Sequence, residues 1–129
     1  TVLRQHPIRS AADLRHHTLL HSASTRSAWA QWLREVGEPG LRPARQMEFE
    51  HVFFQQAAAV EGLGVALASL PLIQRDLAAG RLVCPLPAAT WRAPDYVLVL
   101  STQRASDAAV SAFRDWVLQA AAREPITPA

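Results

Sequence analysis

What most limits the fold of this chain is its punctuation. Gly37, Gly62 and Gly80 each follow a helix-patterned stretch; Gly37 opens a loop rich in Pro and Gly at 38–45, and the other two stand just ahead of short apolar runs. A glycine just past a helix supplies the left-handed backbone conformation that ends it. Within residues 26–36, Trp29, Trp32, Leu33 and Val36 recur at the i, i+3, i+4, i+7 spacing of one helix face. Gly37 stops that helix, and Ser24 or Thr25 is its N-cap. Residues 52–61 read as an alanine-rich helix stopped by Gly62. Residues 70–78 read as a helix capped by Ser69, with Pro71 tolerated in the first turn and Gly80 at the end. Residues 18–21, 46–50 (Met47 and Phe49 on one side) and 65–68 have strand character, as do 82–86 and 96–100. Ser10 and Asp13 form a capping box for a short helical turn ending near Leu14. A last helix covers residues 106–122, before a frayed tail with Pro125 and Pro128. The order β-α-β-α-β-α-β-β-α predicts an α/β sheet with helices packed on its faces.

The last helix carries an apolar stripe of Val110, Phe113, Val117 and Ala121, with Trp116 beside it. Two accounts are open: it covers the other side of the one sheet, or it belongs to a second lobe whose sheet lies mostly outside this chain. A chain that opens on Thr1, without a charged-then-apolar leader, reads as a piece of a longer protein. No apolar run approaches the roughly 20 residues that span a bilayer.

The composition restricts function further. Half of the 129 residues are hydrophobic and 19% are charged, which suits a folded domain rather than a disordered segment. All 13 basic residues are arginine, net charge is +2, and the arginines are spread along the chain among acidic neighbours such as Glu35, Asp76 and Asp115. A nucleic-acid module concentrates positive charge on one face, so DNA contact by this piece is not expected. The lone Cys84 rules out a disulfide framework, fits a reducing compartment, and reads as a buried inert thiol in an apolar run.

The chain has no nucleophile elbow, P-loop or dinucleotide fingerprint. Gly62-Leu-Gly64-Val65 follows a helix and precedes a strand, the reverse of the phosphate-cradling order. His16, His17 and His21 lie close in sequence, but only His17 and His21 share a strand face and no carboxylate or cysteine completes a zinc spacing. No metal or cofactor is expected. Glu48 and Glu50 read as exposed alternation. Ligands of open α/β sheets collect where strand ends meet helix starts, and two such corners occur. The first, residues 21–26, offers Ser22, Ser24, Thr25 and Arg26. The second, residues 50–53, offers Glu50, His51 and two phenylalanines, of which Phe53 and Phe54 are either core or pocket lining.

Residues 55–65, Gln-Gln-Ala-Ala-Ala-Val-Glu-Gly-Leu-Gly-Val, and 76–83, Asp-Leu-Ala-Ala-Gly-Arg-Leu-Val, resemble the effector-binding domain of LysR-type transcriptional regulators. The branch they look most like is the one that includes the glycine-cleavage activator. Asp13-Leu14, His-Thr-Leu-Leu-His at 17–21, Trp29 with Trp32-Leu33, Phe49-Glu50, Tyr96-Val-Leu-Val and Ala-Phe-Arg-Asp-Trp at 112–116 agree in order, so the similarity covers about 8–122.

The resemblance implies a lobe like those of type 2 periplasmic binding proteins, with a mixed sheet. Residues 1–17 would be a hinge from a first lobe outside the chain, and 18–95 the second lobe. Residues 96–124 would be the return strand and last helix of the first lobe, and 125–129 a tail. It implies a small-molecule effector, an organic acid or amino acid, held between the lobes by His21, Ser22, Glu50, His51, Val52 and Phe53, with Tyr96 bordering the cleft. The bulk after Phe49-Glu50 would narrow that pocket. It further implies no catalysis, a cytoplasmic homo-oligomer (dimer, and tetramer at full length), no membrane, and DNA bound only through an N-terminal helix-turn-helix. The helix at 26–36 would be a candidate interface, unless its tryptophans are core. Two other readings stay open: the lobe of a transporter's solute-binding protein, which shares the architecture, and a small α/β enzyme, for which no nucleophile–base pair stands out.

Overall fold

The computed structural model describes residues 6–89 and 98–123. The chain divides into two compact units, Thr1–Trp91 and Arg92–Thr127.

The first unit is built on three parallel strands: β1, Thr18–Ser22; β2, Arg45–Phe49; and β3, Val65–Ala66. Their order is β2-β1-β3, so β1 is central. Helix α1, Ala28–Glu35, links β1 to β2; α2, Val52–Val60, links β2 to β3; and α3, Leu70–Ala78, follows β3. The two crossovers run in opposite directions across the sheet. Right-handed connections therefore send α1 and α2 to opposite faces. Leu19 and Leu20 are both buried, and they point to opposite faces because side chains alternate along a strand. Leu19 joins Ile8, Leu14, Trp29, Trp32 and Leu33 in the core under α1. On the other side, α2 touches all three strands.

Trp29 and Trp32 are thus core residues, packed edge to face at 5.7 Å. Burying an apolar side chain of this size is worth about 1.5–3 kcal/mol. This settles their role in favour of packing within the unit. Gly37, Gly62 and Gly80 have φ of 82°, 77° and 68°, the left-handed stops expected of them.

Several local expectations are corrected. The sheet is parallel throughout the described residues rather than mixed. Residues 82–86 form no strand. Pro85 and Pro87 have no N–H to give a ladder, and this stretch instead packs on α1, with Leu86 and Ala89 against the core and Trp32 Nε1 donating to the Ala89 carbonyl at 2.8 Å. Residues 98–100 are not strand either, and the start of that predicted strand, at Tyr96, lies outside the described residues. β3 stops at Ala66, two residues short of expectation. Neither Ser24 nor Thr25 caps α1, because both are taken up in a 3-10 turn, Ala23–Thr25, and the N-cap is Ser27 without a side-chain bond. The early capping box is present, but the 3-10 turn it opens runs Ala11–His16, past Leu14. Cys84 is half-buried rather than buried.

The second unit contains α4, Ala108–Arg123. The Asp107 carbonyl accepts from Ser111 N at 2.9 Å, and Arg104 pairs with Asp107 at 3.0 Å, fixing the entry to the helix. Phe113 and Trp116 stack at 5.9 Å, and both are exposed.

Candidate ligand-binding edge

In a parallel sheet all strands end on the same edge. Here Ser22, Phe49 and Ala66 close β1, β2 and β3. The strand order reverses at β1, and ligands of open α/β sheets bind in the crevice at such a point. Ser22 stands opposite Phe49 in the β1–β2 register, and neighbouring strands lie about 4.8 Å apart. The two sequence-predicted corners, His21 with Ser22 and Glu50 with His51, Val52 and Phe53, therefore meet on one edge. Tyr96 lies outside the described residues.

In the first corner Ser22 is buried, and its hydroxyl both meets Ser24 Oγ at 2.7 Å and accepts from Ser24 N at 3.4 Å. This turns the chain sharply into the 3-10 turn ahead of α1. His21 is half-buried, 6.3 Å from the Trp29 ring. Its Nε2 is buried and has no hydrogen-bond partner among the described residues. Burial pushes the His21 imidazole below its ordinary pKa, against a smaller upward pull from Glu48. Glu48 stands opposite His21 in the register and is tethered to Arg26 at 3.4 Å. Both members of that ion pair are exposed, so it contributes little stability. It does hold one carboxylate beside the only histidine on this edge of β1.

In the second corner Glu50 and His51 are exposed. His51 is the N-cap of α2 through its backbone, its carbonyl accepting from Phe54 N at 3.1 Å and Gln55 N at 3.3 Å. The first turn of a helix leaves backbone N–H groups that attract an anion. Val52 is half-buried. Phe53 and Phe54 are 74% and 59% exposed, so neither is core. The reason is rotational: α2 turns Gln55 and Ala58 to the sheet, leaving the phenylalanines on the outer side.

Gln55 and the Trp29 indole N–H are the polar groups that sequence reading missed. Gln55 Nε2 donates to the Leu20 carbonyl at 2.7 Å, and Trp29 Nε1 donates to the same oxygen at 2.9 Å. One acceptor near the end of the central strand thus holds the first turns of both flanking helices, and with them both corners. The available signal was a glutamine three residues before Ala58 on the buried face of α2. Among the described residues no group of three or more His, Cys, Asp or Glu is arranged to hold a metal ion. None of the described helices is long and apolar enough to cross a membrane.

The comparisons with known proteins agree on one family. The glycine cleavage system transcriptional activator of Escherichia coli K12 is 36% identical over 118 residues, 92% of this chain. The transcriptional regulator TrpI of Pseudomonas aeruginosa is 45% identical over 75 residues, 58% of this chain and 25% of its own length. The solved effector domain of the transcriptional regulator AmpR of Pseudomonas aeruginosa is 30% identical with a TM-score of 0.66, covering 94% of this chain and 57% of that one. The chain spans only 38% of the length of the Escherichia coli activator. Residues 2–122 match the profile described as the LysR substrate binding domain, and the chain belongs to that family.

Proposed function

We propose that this chain is the ligand-sensing part of a bacterial LysR-type transcription regulator. On this reading it grips a small organic acid or amino acid between two lobes and does no chemistry on it. The observation that carries the reading is the strand-end edge where the His21–Ser22 corner and the Glu50–Phe53 corner meet at the reversal of strand order. The start of α2 favours a carboxylate.

Residues 18–95 then act as the second lobe, entered through a hinge at 1–17. Residues 96–124 belong to the first lobe, with Tyr96 bordering the cleft, and the exposed Phe113 and Trp116 of α4 await that lobe's sheet. Ligand binding shifts the population of lobe arrangements, and that shift reaches DNA through an N-terminal helix-turn-helix and a cytoplasmic homo-oligomer. The curated relatives are transcriptional regulators, which speaks against the transporter-lobe alternative and against an enzyme.

The test is a thermal-shift screen of organic acids and amino acids against the complete two-lobed protein. At least one compound raises the melting temperature, and Glu50→Ala with His51→Ala erases the rise. A screen without hits, or a hit that survives the double change, refutes the reading.

A further inference from the structure

His17 is the most buried ionisable side chain among the described residues, at 1% exposure, and neither ring nitrogen has a hydrogen-bond partner there. It closes the Ala11–His16 turn, its backbone N–H donating to the Leu14 carbonyl at 3.0 Å. Ile8 and Leu14 on one side and Leu19 on the other are core residues packed with Trp29, Trp32 and Leu33. The ring is therefore kept inside by the docking of its own segment.

Two more imidazoles stand against it. His6 presents its ring edge-on to His17 at 6.2 Å and stacks on His16 at 5.5 Å. The one carboxylate acting on the ring, Asp13, already accepts from Arg9 N, Ser10 N and Ser10 Oγ at 2.9–3.0 Å through a single oxygen. A neutral imidazole without partners is a tolerable burden on a core. An imidazolium there has two N–H groups to satisfy and only the His6 backbone to meet them, with two further imidazoles packed beside it.

We propose that His6, His16 and His17 form an acid-sensitive latch. With the His17 ring neutral, the segment from Ile8 to His17 docks on β1 and α1. Protonation expels the His17 ring and releases that segment, while the sheet and α2 stay folded. Released, the segment takes Ile8 and Leu14 off the core and uncovers the Leu19–Trp29 face. The direction agrees with the balance on His17. Burial depresses its proton affinity most, and the charges of His6 and His16 add to that; the His6 backbone and Asp13 oppose it. Because the ring is neutral when docked and ordinary when released, docking weakens as pH falls below about 6.5, by up to tenfold in the equilibrium per pH unit.

Amide hydrogen exchange of the 129-residue chain between pH 8 and 5, read as protection factors, tests this. The Asp13 and His17 amides lose protection by up to tenfold per unit below about pH 6.5, while the amide of Glu61, which closes the C-terminal end of α2 on the Ala57 carbonyl, holds its own. His17→Phe removes the dependence, and His6→Asn with His16→Asn makes it shallower. The same dependence in His17→Phe, or parallel loss at Glu61, overturns the latch. If His17→Phe does not fold, the native ring decides: a His17 titration midpoint by NMR at or above about 6.5 overturns it.

Discussion

The Leu20 carbonyl oxygen offers a sharp test of how the sheet is joined to its two flanking helices. Besides its place in the ladder of the central strand, that oxygen accepts one side-chain donor from each helix: Trp29 Nε1 of α1 at 2.9 Å and Gln55 Nε2 of α2 at 2.7 Å. Leu20 is fully buried, so no bulk water replaces a lost donor. Gln55→Leu removes one donor at similar volume. It costs about 1 kcal/mol, the ordinary net worth of a hydrogen bond, because the indole still satisfies the oxygen. Trp29→Phe costs about 2 kcal/mol, the lost bond plus the smaller ring in the core. The two together still leave the oxygen its donor in the sheet ladder, so even the combined change strands no buried acceptor. The double variant therefore falls about 3 kcal/mol below the parent, the sum of the two single changes. Urea unfolding of the four proteins, followed by far-ultraviolet circular dichroism, gives the cycle. A double variant more than about 1 kcal/mol below that sum refutes the reasoning, because the oxygen would then have been left without a donor.

Two further outcomes follow from named contacts. A methyl at Gly64 would meet the Thr18 carbonyl oxygen and lie 2.9 Å from Leu20 Cδ2, so β3 must shift away from β1; Gly64→Ala costs about 1–3 kcal/mol in urea unfolding, and a neutral result means β3 does not sit against β1 as described. The His21 ring titrates by NMR below the ordinary histidine value, and Glu48→Gln lowers it further by removing the attraction of the carboxylate. Because folding disfavours the protonated His21, its contribution to stability is lost as pH falls below about 6.5, and an upward move in Glu48→Gln contradicts the assigned balance.

Helix ends and buried helix faces were the most legible part of this sequence, because both depend on local chemistry. Gly37, Gly62 and Gly80 stop helices through backbone conformation alone, and the Trp29, Trp32, Leu33 face is a matter of 3.6-residue spacing. Strands were harder, because a strand exists only if a partner pairs with it. Residues 82–86 have the apolar content of a strand, yet Pro85 removes a donor and the Trp32 indole captures the Ala89 carbonyl from 57 positions away. The corners at His21 and Glu50 were legible as strand-end and helix-start positions, but their adjacency was not, since it depends on the register that sets Ser22 opposite Phe49. The same reason explains why Phe53 and Phe54 left two options open. Which side of α2 faces inward is decided by Gln55, a polar residue whose burial makes sense only once the Leu20 carbonyl stands 2.7 Å away. A glutamine on an otherwise alanine-lined helix face is therefore best read as a request for a distant acceptor. Where that acceptor belongs to the central strand of a parallel sheet, the glutamine fixes both the rotation of its helix and the position of the ligand corner at the helix start.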